Sequence, residues 1–126
     1  MYKDILLEHY RNPRNFHHLK KKTHSANVHN PVCGDMIELE IELVGSRIAQ
    51  IGFTGEGCAI STASASLLTE FVKGKRLSEL INLDRKAMIN LIGIEIVPGR
   101  IRCLLLPLEA LHRALEEKNH EAKKSK

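Results

Sequence analysis

The sequence contains no tryptophan, and only two Tyr and three Phe among 126 residues. Its core must therefore be aliphatic. Base stacking on aromatic platforms, the habit of single-strand binders, has little material here. No apolar run approaches the ~20 residues of a membrane span. The segment Met1-Tyr2-Lys3-Asp4 carries an acid and lacks the apolar stretch of a signal peptide. Both absences point to a cytoplasmic protein. Cysteine is scarce as well: three residues, widely spaced, with no Cys-x-x-Cys pair. An odd, dispersed set is a poor disulfide framework and fits a reducing compartment. No Gly-x-Ser-x-Gly elbow accompanies the Ser61–Ser66 run. Those small residues are better read as packing than as a nucleophile.

What is present suits one soluble domain. The length falls within the ~100–200 residues of a single domain, and such a chain buries roughly two thirds of its unfolded surface. The net charge is +4. Part of it lies in Lys20-Lys21-Lys22 and in the Lys123-Lys124-Ser125-Lys126 tail, which read as solvated surface rather than a nucleic-acid patch.

Periodicity places the elements. Residues 2–10 form an amphipathic helix with Ile5, Leu6 and His9 on one side, ended by Pro13. Residues 16–32 are a polar loop with a short strand near Ser25–His29. From Met36 to Val44, Ile37, Leu39, Ile41 and Leu43 alternate with Glu38, Glu40 and Glu42. This is a strand with one buried and one wet, acidic face. Gly45-Ser46 turn it into a second strand over Arg47–Thr54, with Ala49, Ile51 and Phe53 inward. A helix over Ala59–Val72 shows Ile60, Ala63, Leu67 and Phe71 at helical spacing, and Gly74 ends it. Leu77–Leu80 and Asp84–Leu91 are helical, with Asp84 as N-cap. Ile94–Gly99 is a connector. A last helix opens near Cys103 and runs to about Lys118, provided that Pro107 lies in its first turn. The domain is thus 1–118, with 119–126 a frayed basic tail.

Each cysteine sits at a junction. Cys33 lies in Asn30-Pro31-Val32-Cys33-Gly34-Asp35, where Gly34 lets Cys33 and Asp35 turn toward one point. Cys58 lies in Gly55-Glu56-Gly57-Cys58, at a helix start whose dipole favours thiolate. Cys103 follows Arg100-Ile101-Arg102, an electropositive setting. Three readings stand: inert core thiols, one nucleophile, or ligands on one metal. A cysteine hydrolase would need a paired His and an oxyanion site, and no residue is a convincing partner. Three thiolates and one carboxylate would suit tetrahedral Zn²⁺, or an iron–sulfur cluster with one non-cysteine ligand. His17, His18, His24 and His29 read as surface residues of a polar loop, and His9 and His112 as half-buried.

Five ordered segments resemble one family. Tyr10-Arg11-Asn12-Pro13-Arg14-Asn15, Asn30–Asp35, Phe53–Ser61, Val72-Lys73-Gly74-Lys75 and Arg100-Ile101-Arg102-Cys103 are similar to the NifU N-terminal, IscU and SufU iron–sulfur cluster assembly proteins. The resemblance implies an α+β fold, with a three-stranded antiparallel sheet and helices packed on it. It implies that Cys33, Asp35, Cys58 and Cys103 meet at one exposed end and hold a zinc ion or a nascent [2Fe–2S] cluster. It also implies a cysteine desulfurase that supplies sulfur, with Cys33 or Cys103 accepting the persulfide, and apoproteins that receive the cluster. Nucleic acid and membrane are not among the implied partners. The implied activity is that of a scaffold and sulfur carrier. The alternative is a SufU-type, zinc-dependent sulfurtransferase co-substrate of its desulfurase. Isc-type scaffolds carry His before the last Cys, within a Leu-Pro-Pro-Val-Lys motif; here the residues are Arg102 and Ile96-Val97-Pro98-Gly99-Arg100. The segments Gly-Glu-Gly-Cys and Arg-Ile-Arg-Cys are closer to SufU, with the usual SufU insertion between Cys58 and Cys103 shortened.

Overall fold

A computed structural model describes residues 2–30, 34–93, 96 and 98–124. The chain runs α1 (Tyr2–Arg11), β1 (His24–His29), β2 (Met36–Val44), β3 (Arg47–Glu56), α2 (Ala59–Val72), α3 (Leu77–Leu80), α4 (Arg85–Ile92), a 3₁₀ turn (Pro98–Arg100) and α5 (Ile101–Lys124). The three strands form one antiparallel sheet in the order β1-β2-β3. This is the α+β architecture expected. Cys33, and Ile94, Glu95 and Val97 of the expected connector, lie outside the described residues.

Alternation in β2 works as predicted on the inner face. Ile37, Leu39 and Ile41 are buried. They pair with Val28, Ala26 and His24 of β1, while Leu39 and Ile41 face Phe53 and Ile51 of β3. The outer face is not uniformly wet. Glu40 is only 4% exposed, because residues 15–23 fold over it. Leu19 N–H donates to its Oε1 at 2.7 Å, and Lys22 Nζ and His18 Nδ1 lie 3.3 and 3.1 Å from Oε2. Gly52 pairs with Glu40 on the same face; a methyl group there would collide with the His17 carbonyl. Asn15 continues the covering segment, its carbonyl accepting from Phe53 N–H at 2.8 Å.

β3 differs from the expected pattern. Its register shifts between Glu42 and Leu43, so that Glu42 faces Gln50 and Leu43 faces Ile48. Ala49 is the extra residue, and a bulge rotates the strand beyond it. Ile48 and Ile51 are both buried, while Ala49 is only half-buried.

α2 has the predicted bounds but buries another face. Ser61, Ala63, Ser64, Ala65, Ser66, Leu68, Thr69 and Val72 point inward. Phe71 is 41% exposed, and the Lys75 ammonium sits 4.5 Å from its ring centre. The small residues do serve packing, but mainly against α1 and α5 rather than the sheet. Ser66 Oγ lies 2.7 Å from His9 Nδ1 and accepts from Arg14 N–H at 2.8 Å. His9 is therefore buried rather than half-exposed, whereas Ile5 is 42% exposed. Burial and the Arg14 charge hold the His9 imidazole below its usual pKa, against the opposing carboxylates of Glu70 and Glu8. His24, expected at the surface, is also buried, with Nδ1 2.6 Å from Thr23 Oγ1.

α5 lies across β1 and β2 and packs on α2. It begins two residues before Cys103 and reaches Lys124, longer than the sequence suggested. Pro107 lies inside it rather than in the first turn, so it offers no N–H to the Cys103 carbonyl four residues earlier. Ser64 Oγ donates to the neighbouring Leu104 carbonyl at 2.7 Å, tying α2 to this part of α5. Asp84 caps α4 as expected, its carboxylate accepting from Ala87 N–H at 2.9 Å. No helix among the described residues is long and apolar enough to cross a membrane.

Candidate metal centre

Three chain segments deliver the candidate ligands to one place. Asp35 immediately precedes β2, behind Gly34, whose φ of 80° is a conformation that favours glycine. The turn closes with Asn30 N–H donating to the Asp35 carbonyl and Gly34 N–H donating to the Asn30 carbonyl, both at 2.8 Å. β3 then runs antiparallel to β2, so its end at Glu56 stands opposite Met36. That pairing carries Cys58, two residues on, back to Asp35. Cys58 is the N-cap of α2, with extended φ and ψ of −73° and 173° and no capping bond from its side chain. Cys103 comes from the first turn of α5.

One ligand atom from each of Asp35, Cys58 and Cys103 lies within 4.8 Å of the others. A tetrahedral zinc ion, with bonds of ~2.0–2.3 Å, needs its ligand atoms closer together than that limit. Neither Cys58 nor Cys103 is in a disulfide. The structure thus brings together three of the four residues singled out in the sequence. Cys33, the fourth, is outside the described residues, two positions before Asp35.

The electrostatics overturn one expectation. The arginines near Cys103 were expected to favour its thiolate. Burial instead pushes the thiol up to about 12, the neighbouring Cys58 and Asp35 add to this, and only Arg100 opposes them. Arg102 is exposed and lines a groove with His29, Asn30, Leu105, Leu106 and Glu109. The site is also less open than the resemblance implied. Asp35 is 5% exposed and Cys103 1%, with Cys58 half-buried. Ser61 is a neighbour that sequence reading assigned only to packing. Its Oγ accepts from the Cys58 thiol at 3.8 Å.

The strand and helix ends of this small α+β domain thus gather two thiols and a carboxylate, a donor set that could hold a metal ion. The chain belongs to the family described as NifU-like N terminal domain, whose model matches residues 1–125. It is 35% identical over 115 residues to the iron–sulfur cluster assembly scaffold protein IscU 1 of Archaeoglobus fulgidus, covering 91% of this chain and 74% of that one. It is 32% identical over 132 residues to the zinc-dependent sulfurtransferase SufU of Bacillus subtilis, covering 91% of this chain and 89% of the relative. Among solved structures, the N-terminal NifU-like protein of Brucella abortus superposes with a TM-score of 0.79 at 20% identity, over 94% of each chain. A putative iron–sulfur cluster assembly scaffold protein for the SUF system, from Fervidobacterium islandicum, gives 0.76 at 26% identity, over 89% of this chain and 94% of its own.

Proposed function

We propose that the protein is an iron–sulfur cluster assembly protein. It takes sulfur from a cysteine desulfurase and holds a transient [2Fe–2S] cluster for apoprotein recipients. The observation that carries this reading is the convergence of Asp35, Cys58 and Cys103 within 4.8 Å. Cys33 completes the ligand set. Soft thiolates bind iron and accept sulfane sulfur, and a carboxylate is the harder, more exchangeable ligand. A carrier has to let its cargo go, which suits Asp35. Sulfur arrives when an acceptor thiolate attacks the outer sulfur of the desulfurase persulfide. The new S–S bond forms on the acceptor, and the desulfurase cysteine leaves as thiolate. Cys33 and Cys103 are the candidate acceptors, and burial counts against Cys103, which is 1% exposed. Thiols outside disulfides, as at Cys58 and Cys103, fit the reducing cytoplasm.

A second reading has its own support. Arg102 stands where Isc-type scaffolds carry His, and a relative at 32% identity is named as a zinc-dependent sulfurtransferase. In that reading Cys33, Asp35, Cys58 and Cys103 hold zinc as a resident ion, which keeps the thiols deprotonated at neutral pH. The aligned length of 132 against 126 residues here also fits extra residues in that relative. The metal in protein purified anaerobically separates the two. Cluster formation from iron and sulfide, followed by transfer to an apoprotein, is expected of the scaffold. One tight zinc per chain, lost in Cys33→Ala, together with acceleration of the desulfurase, would favour the sulfurtransferase. An unchanged metal content in Asp35→Ala would remove Asp35 from the site.

A further inference from the structure

We infer that Ser61 is a positioning residue of the metal centre, whose hydroxyl, set beside the Cys58 sulfur, turns from the Cys58 carbonyl to that sulfur when it coordinates the metal. The inference rests on the centre proposed above. α2 buries Ser61, Ser64 and Ser66 completely. Two of them are committed to the fold: Ser64 donates to Leu104 on α5, and Ser66 meets His9 and Arg14. Ser61 alone of the three faces a cysteine. In the thiol state the Cys58 S–H donates to Ser61 Oγ at 3.8 Å, and the Ser61 O–H donates to the Cys58 carbonyl at 3.2 Å. A sulfur bonded to a metal has no S–H to donate and can only accept. The Ser61 hydroxyl is a rotor with one donor and two acceptor positions. It then satisfies the thiolate by rotation about its own C–O bond, without movement of the helix.

Gly57 is the independent observation. A methyl group on Gly57 would overlap Ser61 Oγ and come within 3.5 Å of the Asp35 carboxyl carbon. The bare glycine therefore leaves the hydroxyl in a gap beside two of the proposed ligands. A hydrogen bond to a bound thiolate withdraws charge from the sulfur and fixes its direction. Such contacts just outside a ligand set typically alter metal affinity ~10–100-fold.

The test uses the full chain loaded anaerobically with cobalt(II), whose thiolate charge-transfer bands report sulfur electron density. Ser61→Ala and Ser61→Val should move these bands to longer wavelength and weaken zinc competition roughly 10-fold or more. Ser61→Thr, which restores the hydroxyl at the volume of Val, should return them toward wild type. Bands at the wild-type position in Ser61→Ala overturn the inference, whatever happens to affinity. If Ser61→Ala folds poorly by circular dichroism, identical bands in the Thr and Val variants overturn it instead. Wild-type protein that binds cobalt without thiolate bands would sink the metal-centre reading itself, a different failure.

Discussion

Two clusters of ionisable groups in this molecule are built on opposite plans. On the outer face of the sheet, the Glu40 carboxylate is surrounded by donors: Leu19 N–H, the His18 ring and the Lys22 ammonium. Burial alone would raise its pKa, but these partners outweigh burial and hold the carboxyl below its usual range. At the other cluster the neighbours of Cys103 are themselves acidic. Burial, Cys58 and Asp35 push its thiol up to about 12, against Arg100. Glu40 brings its cation, Lys22, and two further hydrogen-bond partners with it, so its cluster is complete as folded. The cysteine cluster concentrates groups that become anionic, an arrangement that a bound cation would favour. Charge distribution thus separates a structural pin from a candidate metal centre, although both are buried.

The largest effect expected from this contrast is proton release. A thiol with a pKa of about 12 is protonated at pH 7.5, yet it binds zinc as thiolate. Zinc uptake should therefore eject about one proton from Cys103. Titration calorimetry in buffers of different ionisation enthalpy reads this number directly. Zinc affinity should fall as pH is lowered, by about tenfold per unit for each proton released. Cys103→Ala should cost more than the roughly 100-fold typical of changes just outside a ligand set. Zinc uptake with no proton release at pH 7.5 would remove Cys103 from the coordination.

Glu40→Gln tests the other side. It keeps the shape and removes the charge from three hydrogen bonds, so the loss should be ~1.5–3 kcal/mol at pH 7, read by urea unfolding. Zinc affinity should stay within twofold. The folded pKa lies below the ordinary value of 4.5. The contribution is therefore present above about pH 4.5 and is lost as pH falls through the lower folded value. Wild type and variant should converge there. A stability difference that persists in acid would mean that the amide disrupts packing rather than charge.

The legible parts of the fold are those set by local pattern. β2 and α2 have the bounds expected from period-two alternation and from the Gly57–Gly74 punctuation. The failures need partners distant in sequence. Glu40 reads as a wet position until residues 15–23 cover it. Ile48 turns inward because of a one-residue bulge, which no alternation in the chain announces. Phe71 reads as core from its spacing, but α2 buries its serine and alanine side against α1 and α5. Motif and junction context singled out Asp35, Cys58 and Cys103, which the fold brings together. The sequence misjudged the setting of Cys103, because Arg100 and Arg102 are visible in the chain whereas burial beside Asp35 is a tertiary fact. Ser61 was hidden by its own run of small residues. Its distinguishing signal is the i,i+3 spacing from Cys58 across a helix start.

Helix caps provide the smallest and sharpest comparison. α4 starts with Asp84, whose carboxylate accepts from Ala87 N–H at 2.9 Å. α2, the longer helix, starts with Cys58 and has no side-chain capping bond. Ser and Asp are preferred at this position because their oxygens satisfy an otherwise unpaired N–H. A thiol satisfies it poorly, so Cys58 holds its place at some expense to the helix. Asp84→Ala should therefore destabilise the protein by about 1 kcal/mol, with metal binding intact. Cys58→Ser should do the reverse. It supplies a cap and should raise the stability of the metal-free protein by up to ~1 kcal/mol, while weakening zinc or cluster binding. Thermal unfolding of both variants, with and without zinc, resolves the four cases. A Cys58→Ser protein that is less stable without metal would show that the sulfur packs for the fold, and the distinction drawn between the two clusters would narrow to Cys103 and Asp35.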